Sequence, residues 1–465
     1  MTALAGPILF NNSTGSDTDA SGLGPSARVI LSCPLNNGST SSSYSVLSGN
    51  INDVQAGHLA YVGASASIRR FSVVASVDTF LNQITFDEAF DESSPGSLNG
   101  FVYIAVHIGG KRKTIDDTNS RRIFAHDVDQ ASGYDIEIEY TGTDYNLSSV
   151  LLVASVDSIK GTGSQKPVIS TSYNNDTVWE IAPSGTARLS SAQLNPYVWE
   201  NIRFESSVNR TSGDRSLISN LTGSLSSSFT YRECVFDGQN SEYIFRTMGN
   251  PAQENYNIEK CDFINLKPTG FSIGLYNENA RIVSVRGSRF AGSGNSGSFG
   301  MVGAIGSVDV ALSCVFDDLG HGILGNNSGS LCCAIGCVFY SCDTGVSRTT
   351  GGVLVGNIFH SNTNAITSTA GGAVVQNGMY NNTGSLLSGT EYNFSNDPLS
   401  DPANDDFSLS SSGQSEIASI SPAFGTPVSG GIPALPFYGL NVMLDPSGGA
   451  SGGIFKVTMN GGMDG

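Results

Sequence analysis

The stretch Asp317-Asp318-Leu319-Gly320-His321 sets two carboxylates beside an imidazole, the side chains that general acid–base chemistry needs. Enzymes that cleave glycosidic bonds work with a pair of carboxylates flanking the bond, so other acids in phase with these matter too. Glu233, Asp237, Glu259 and Asp262 fall on two successive segments and can line an acidic groove, while Asp262 and Arg289 each stand just before a phenylalanine and can pair. The competing reading is structural: Asp and His in turns cap backbone groups, and acids on an outer face meet solvent. The catalytic candidates are therefore Asp262, Asp317, Asp318 and His321, none of them in a convergent cluster with a positioned base. Cys332-Cys333 and Cys342 raise the question of zinc, but there is no CxxC pair, and strand alternation sends Cys332 and Cys333 to opposite faces. No metal or cofactor site is expected, and no nucleophile-elbow, Walker, EF-hand or Rossmann pattern occurs in a fitting context.

The elements that must position these residues announce themselves by period. Phe204, Phe236, Phe263, Phe290, Phe316, Phe339, Phe359 and Tyr380 recur at steps of 32, 27, 27, 26, 23, 20 and 21 residues. Two residues earlier stand Ile202, Cys234, Cys261, Ser288, Cys314, Cys337, Asn357 and Gly378, and about seven later the apolar Ile323, Val346, Ile366 and Leu387. A self-similar period of about 20 to 30 residues marks a solenoid. Val308, Val310, Leu312, Cys314 and Phe316 alternate with period two, as do Leu331, Cys333, Ile335, Cys337 and Phe339, so each set reads as one inward row of a strand. Helical repeats would need a 3.6-residue period, which is absent. The expected fold is all-β: a right-handed parallel β-helix with an N-terminal β cap or subdomain and extended terminal arms.

Composition narrows the function. A net charge of −18 argues against nucleic acid, whose binding needs clustered Lys and Arg, and against anionic lipid surfaces. No run reaches the roughly 18 apolar residues of a membrane span. Met1 to Pro7 carries neither Lys nor Arg nor a long apolar core, so no secretory signal is expected and the chain should fold in a cytoplasm. In that reducing setting Cys234, Cys261, Cys314 and Cys337 are expected to stack as a ladder of buried free thiols.

Along the chain, residues 1–30 read as an extended arm, 31–130 as the β subdomain, 131–390 as the β-helix and 391–465 as a closing segment with a Gly-rich arm. Lys111-Arg112-Lys113 with Arg121-Arg122 is the dense basic patch, read as a charged cover over the open end of the solenoid. Tyr134-Asp135-Ile136-Glu137-Ile138-Glu139 should open the regular coils with Ile136 and Ile138 facing in.

Two segments carry a resemblance. Asp401-Pro402-Ala403-Asn404-Asp405-Asp406-Phe407-Ser408-Leu409, followed by Ser421-Pro422-Ala423, resembles the closing motif of pectin-lyase-like right-handed β-helix proteins. Gly15-Ser16-Asp17 through Gly22-Leu23-Gly24-Pro25-Ser26 is similar to the opening of surface members of that family, though the cap helix that usually follows is missing. With Ile108-Gly109-Gly110-Lys111-Arg112, the chain is similar to β-helix proteins of bacteriophages and prophages. The resemblance implies a virion surface component (tailspike, fibre or capsid decoration) that is usually a homotrimer, assembled in the host cytoplasm and contacting other virion proteins and host-surface polysaccharide. The alternative is a polysaccharide lyase or glycoside hydrolase on the same scaffold, as in a tailspike depolymerase.

The residue before each marker aromatic should point outward, and in the last coils that row is apolar: Val315, Val338, Ile358 and Met379. An exposed apolar stripe marks a partner surface, here the threefold axis of a trimer, unless the chain's own C-terminal segment covers it.

Overall fold

The computed structural model describes residues 4–15, 29–34, 43–46, 50–64, 67–87, 101–106, 111–124, 128–129, 134–149, 151–153, 156–171, 179–181, 197–206, 216–220, 228–238, 241–247, 255–267, 270–278, 282–304, 307–325, 330–350, 352–370, 373–375, 377–384, 392–420, 440–444 and 455–459. The opening Gly15–Ser26 motif beyond Gly15, Leu387, and Ser421 to Ala423 lie outside them. The fold is a right-handed parallel β-helix, and two compact units are distinguished: residues 1–214 with 219–223, and 215–218 with 224–465.

In the first unit the β subdomain is antiparallel, ordered Val29–Pro34, Phe101–Val106, Leu59–Ala64, Ser67–Asp78, Gln83–Phe86, Ser43–Ser45, with Val128–Asp129 added in parallel to Ser67–Asp78. Tyr134–Glu139 alternates as its sequence requires, burying Tyr134, Ile136 and Ile138. It pairs in parallel with Val156–Thr162 and with Ile8–Phe10, so residues expected in a free arm supply a strand of the ladder. Thr118–Phe124 is a short helix that buries Ile123 and Phe124, the latter ring 5.4 Å from Phe10. The basic run is built into this cap. The Arg112 side chain is buried, donating from Nε to Ser120 Oγ at 2.7 Å and from Nη2 to Asp117 Oδ2 at 2.7 Å. Arg121 pairs with Asp116 and reaches the Ser149 carbonyl, and Lys111 pairs with Glu139 at 2.5 Å.

In the second unit each coil contributes three strands to three parallel ladders. Asn255–Glu259, Ile282–Arg286, Val308–Leu312 and Leu331–Ile335 stack in the first. The second holds the phenylalanines: Phe236, Phe263, Phe290, Phe316, Phe339 and Phe359 are fully buried, with successive centroids 4.8, 4.5, 5.0, 4.8 and 4.8 Å apart. That spacing is the strand spacing, so each ring covers the last. The third ladder pairs Ile323, Val346 and Ile366 in register.

Single left-handed residues make the corners. Glu233, Lys260, Gly287, Ser313, Gly336 and Gly356 turn the first strand into the second with φ of 51 to 62°. Asn265, Asp318, Ser341, Ser361 and Asn381 turn the second into the third with φ of 52 to 56°. Behind the first corner runs the ladder Cys234, Cys261, Ser288, Cys314, Cys337, Asn357, Asn377, all buried and with every thiol free. Where thiols give way to amides, backbone bonding improves: Cys337 N donates to Asn357 Oδ1 at 2.9 Å, and Asn357 Nδ2 donates to Ala334 O at 2.9 Å.

Two phase assignments are corrected by these corners. A left-handed residue between strands resets which face the alternation addresses, so Val308, Val310 and Leu312 do not share the face of Cys314 and Phe316. By register the core-facing residues are Asp309 and Ala311, in column with Val283 and Val285, and then Cys332 and Ala334. At the end of the marker column, Phe359 pairs with Met379, while Tyr380 continues the outer column of Tyr340 and His360. Met379 therefore takes the ring position, and Gly378 the outer position after Ile358.

Candidate functional site

The acids singled out by type and spacing lie on the second unit, and the corners disperse them. Asp317 follows Phe316 on the second ladder, Asp318 is itself the left-handed corner, and His321 begins the third ladder in register with Thr344. Asp318 holds the place that Asn265, Ser341, Ser361 and Asn381 hold in other coils, a place chosen for short polar side chains that tolerate positive φ. His321 stacks on Phe299 at 5.1 Å with planes 4° apart, and its Nδ1 is hydrogen-bonded to Ser347 Oγ at 3.3 Å. Asp262 is exposed, between Val235 and Arg289 in register.

Asp317 is the best-built of the set. Its side chain is nearly buried and accepts from Arg289 Nη2 at 2.6 Å. The same Nη2 donates to Asp405 Oδ1 at 2.5 Å, and the guanidinium lies over the Phe407 ring at 5.4 Å. Burial pushes the Asp317 carboxyl above the usual carboxylate range, against the pull of Arg289. For Arg289, burial opposes the charge, but the bonds to Asp405 and Asp317 outweigh it and raise its pKa. The arrangement is a clamp: one cation ties a coil to the closing segment through two carboxylates.

The acidic groove dissolves in the same way. Glu233 lies 3.6 Å from Lys260, Glu259 accepts from Arg232 at 3.1 Å, and Asp237, buried, accepts twice from Asn265 Nδ2 at 3.0 Å. Among the described residues no three His, Cys, Asp or Glu side chains gather as metal ligands would.

The apolar stripe is corrected as an exposed surface. Val315, Val338 and Ile358 are buried in one cluster with Phe394, Leu399, Phe407, Leu409 and Ile417, all from the closing segment of the same chain. That segment pairs Leu399–Asp401 with Asp406–Leu409 and ends in the helix Ser411–Ile420. It is pinned by Arg289, by His360 Nε2 at 3.0 Å from Asp397 Oδ1, and by Glu416, which accepts from Tyr392 OH and from the Ser395 and Asn396 amides. Met379, buried as well, sits in the ring column. The physical reason is apolar burial: three outward hydrophobes cost about 25 cal/mol per Å² in water, and the nearest cover is the chain itself.

A feature without a constant period escaped the sequence reading. On the outer side of the third ladder, Tyr243, Phe271, Tyr276, Phe299 and His321 form a continuous aromatic patch, with Phe271 44% exposed.

No family model matches the chain, and no curated protein matches it. Among solved structures it is similar to the tailspike protein of Acinetobacter baumannii bacteriophage Fri1, a capsular polysaccharide depolymerase, at 10% identity and a TM-score of 0.37, covering 67% of this chain and 65% of that one. It is also similar to the Acinetobacter phage vB_ApiP_P1 tailspike, at 12% identity and a TM-score of 0.31 over 56% and 55% of the two chains. A third likeness is to the catalytic domain of a GH87 alpha-1,3-glucanase, at 8% identity and a TM-score of 0.25 over 79% and 86%. The chain thus spans just under two thirds of the Fri1 tailspike. At these identities and scores the likenesses carry neither activity nor ligand.

Proposed function

We propose that the chain is a structural component of a bacteriophage particle surface, a tailspike, fibre or decoration protein that meets host-surface glycans without cleaving them. The observation that carries the non-catalytic half is the Arg289 clamp. Asp317 is held at 2.6 Å by a guanidinium that also binds Asp405, so the most buried acid candidate closes the fold. A general acid or base needs a proton-transfer path to substrate, and this carboxylate is occupied on its outer side. The particle half is supported by the resemblance of Asp401 to Leu409, which the fold uses as the closing turn of the solenoid. Homotrimeric assembly belongs to the proposal through that resemblance, by a surface other than Val315, Val338 and Ile358.

Three experiments test it. Gold-labelled antibody to the chain should decorate purified phage particles in electron micrographs, and light scattering should give three times the chain mass. Incubation with capsular, pectin-type and alginate-type polysaccharides should release no reducing ends or unsaturated products. Product formation abolished by Asp262→Ala or Asp317→Ala would establish the enzyme reading instead.

A further inference from the structure

We infer that the aromatic patch on the third ladder is a binding platform for an uncharged glycan. The inference rests on the proposed function and locates the surface that the proposal leaves unplaced. Six side chains build it. Phe271 packs edge-on to Tyr243 at 5.9 Å and tilts against Phe299 at 5.5 Å. Tyr243 stacks on Tyr276 at 5.5 Å, and Phe299 stacks on His321 at 5.1 Å. Arg246 lies over the Tyr243 ring at 5.0 Å and the Tyr276 ring at 5.9 Å.

Three properties point to a sugar. First, Phe271 presents an aromatic ring to water on an ordered support. Gly270 turns with φ of 80°, and Asn295 Nδ2 donates to the Lys267 and Gly270 carbonyls at 3.0 and 2.6 Å. An exposed ring held in place loses little conformational freedom when a ligand covers it. Second, the patch mixes ring faces and edges with phenol hydroxyls, an imidazole and a guanidinium. That combination suits a ligand with apolar C–H faces and a rim of hydroxyls. Third, its charge is balanced. Arg246 Nε donates to Glu278 Oε2 at 2.7 Å, so the guanidinium offers donors without a net positive field, on a chain of net charge −18. An acidic polysaccharide would be repelled by that field, and a neutral one is indifferent to it. The patch climbs successive strands, so a glycan chain would run along the solenoid.

The test uses the full chain against an array of neutral and acidic bacterial oligosaccharides, with titration NMR in millimolar maltohexaose and laminarihexaose. At least one neutral glycan should bind. Phe271→Ala and Phe271→Leu should weaken it about tenfold, while Phe271→Trp retains it, because the ring and not the apolar area makes the contact. Phe80→Ala, which removes the 94% exposed ring of the first unit, should change nothing. Phe271 is surface-exposed, so unchanged melting and circular dichroism would exclude misfolding. Binding only to acidic glycans, binding to none, or binding indifferent to Phe271→Leu would overturn the inference. So would a change of oligomeric state in Phe271→Ala without glycan binding, which would make the patch a protein interface. Any of these would leave the micrograph test of particle location standing on its own.

Discussion

Gly322 lies directly under the ring of Phe339: a Cβ at this glycine would come within 2.6 Å of Phe339 Cδ1. Gly274, Gly300 and Gly345 stand in the same relation to Phe290, Phe316 and Phe359, at 2.8, 2.7 and 2.7 Å. The glycine column is thus the mould of the phenylalanine column. By register the next residue in it is Ala365, and the next ring position holds Met379. The methyl group appears where the rigid ring is replaced by a flexible thioether.

Replacing Gly322 by Ala should therefore destabilise the fold by about 1–3 kcal/mol through overpacking. The double change Gly322→Ala with Phe339→Met copies the Ala365 and Met379 pairing and should recover part of the loss. Calorimetric melting of the two variants checks the coupling. Equal losses in single and double variants would show that the ring does not set the glycine.

Arg289→Met should loosen the closing segment. It keeps the stem but leaves the Asp317 carboxyl buried without its donor, at about 1–3 kcal/mol. Asp405 is mostly exposed, so Asp405→Asn should cost no more than about 1 kcal/mol. Hydrogen exchange across residues 392–420 should rise strongly in the first variant and little in the second.

Asp309 gives a pH dependence of stated sign. Burial pushes its carboxyl from the ordinary 3.8 up to about 6, against hydrogen bonds from Asn277 and Ser307. A raised folded pKa means that the native state holds the proton more tightly than the unfolded chain. The contribution is thus fully present below about pH 4 and is lost as pH rises through about 6, on the order of 3 kcal/mol. Asp309→Asn should remove this fall, and the difference in unfolding free energy between variant and parent, measured by urea at pH 4 and 7, reads it directly.

The thiols should be silent in the native chain. Burial raises the pKa of Cys261 and Cys337 well above the ordinary thiol value, so neither offers a thiolate to an electrophile. An aromatic disulfide reagent should report no fast reaction at Cys234, Cys261, Cys314 or Cys337 until denaturant is added, when all four should titrate. Peptides found already cross-linked by mass spectrometry would contradict free thiols.

The sequence by itself determined the solenoid. A phenylalanine every 20 to 32 residues, with small residues two positions before, needs a stack in which like residues meet, and strand spacing supplies it. It determined the buried thiols and the inward Ile136 and Ile138 for the same reason. Only the tertiary structure decided which face each strand shows. One left-handed residue, such as Ser313 or Gly336, resets the alternation, and nothing in the local pattern marks Ser313 as a corner. So Asp309 took the core place that Val310 was expected to fill. The closing segment likewise decided the fate of Val315, Val338 and Ile358. Covering them depends on Phe394, Phe407 and Ile417 folding back across 36 to 102 residues of chain, a long-range contact that no periodicity encodes. Asp317 was legible as an unusual acid. That it closes a clamp with Arg289 and Asp405 was not, because the three residues meet only after the chain has come back on itself.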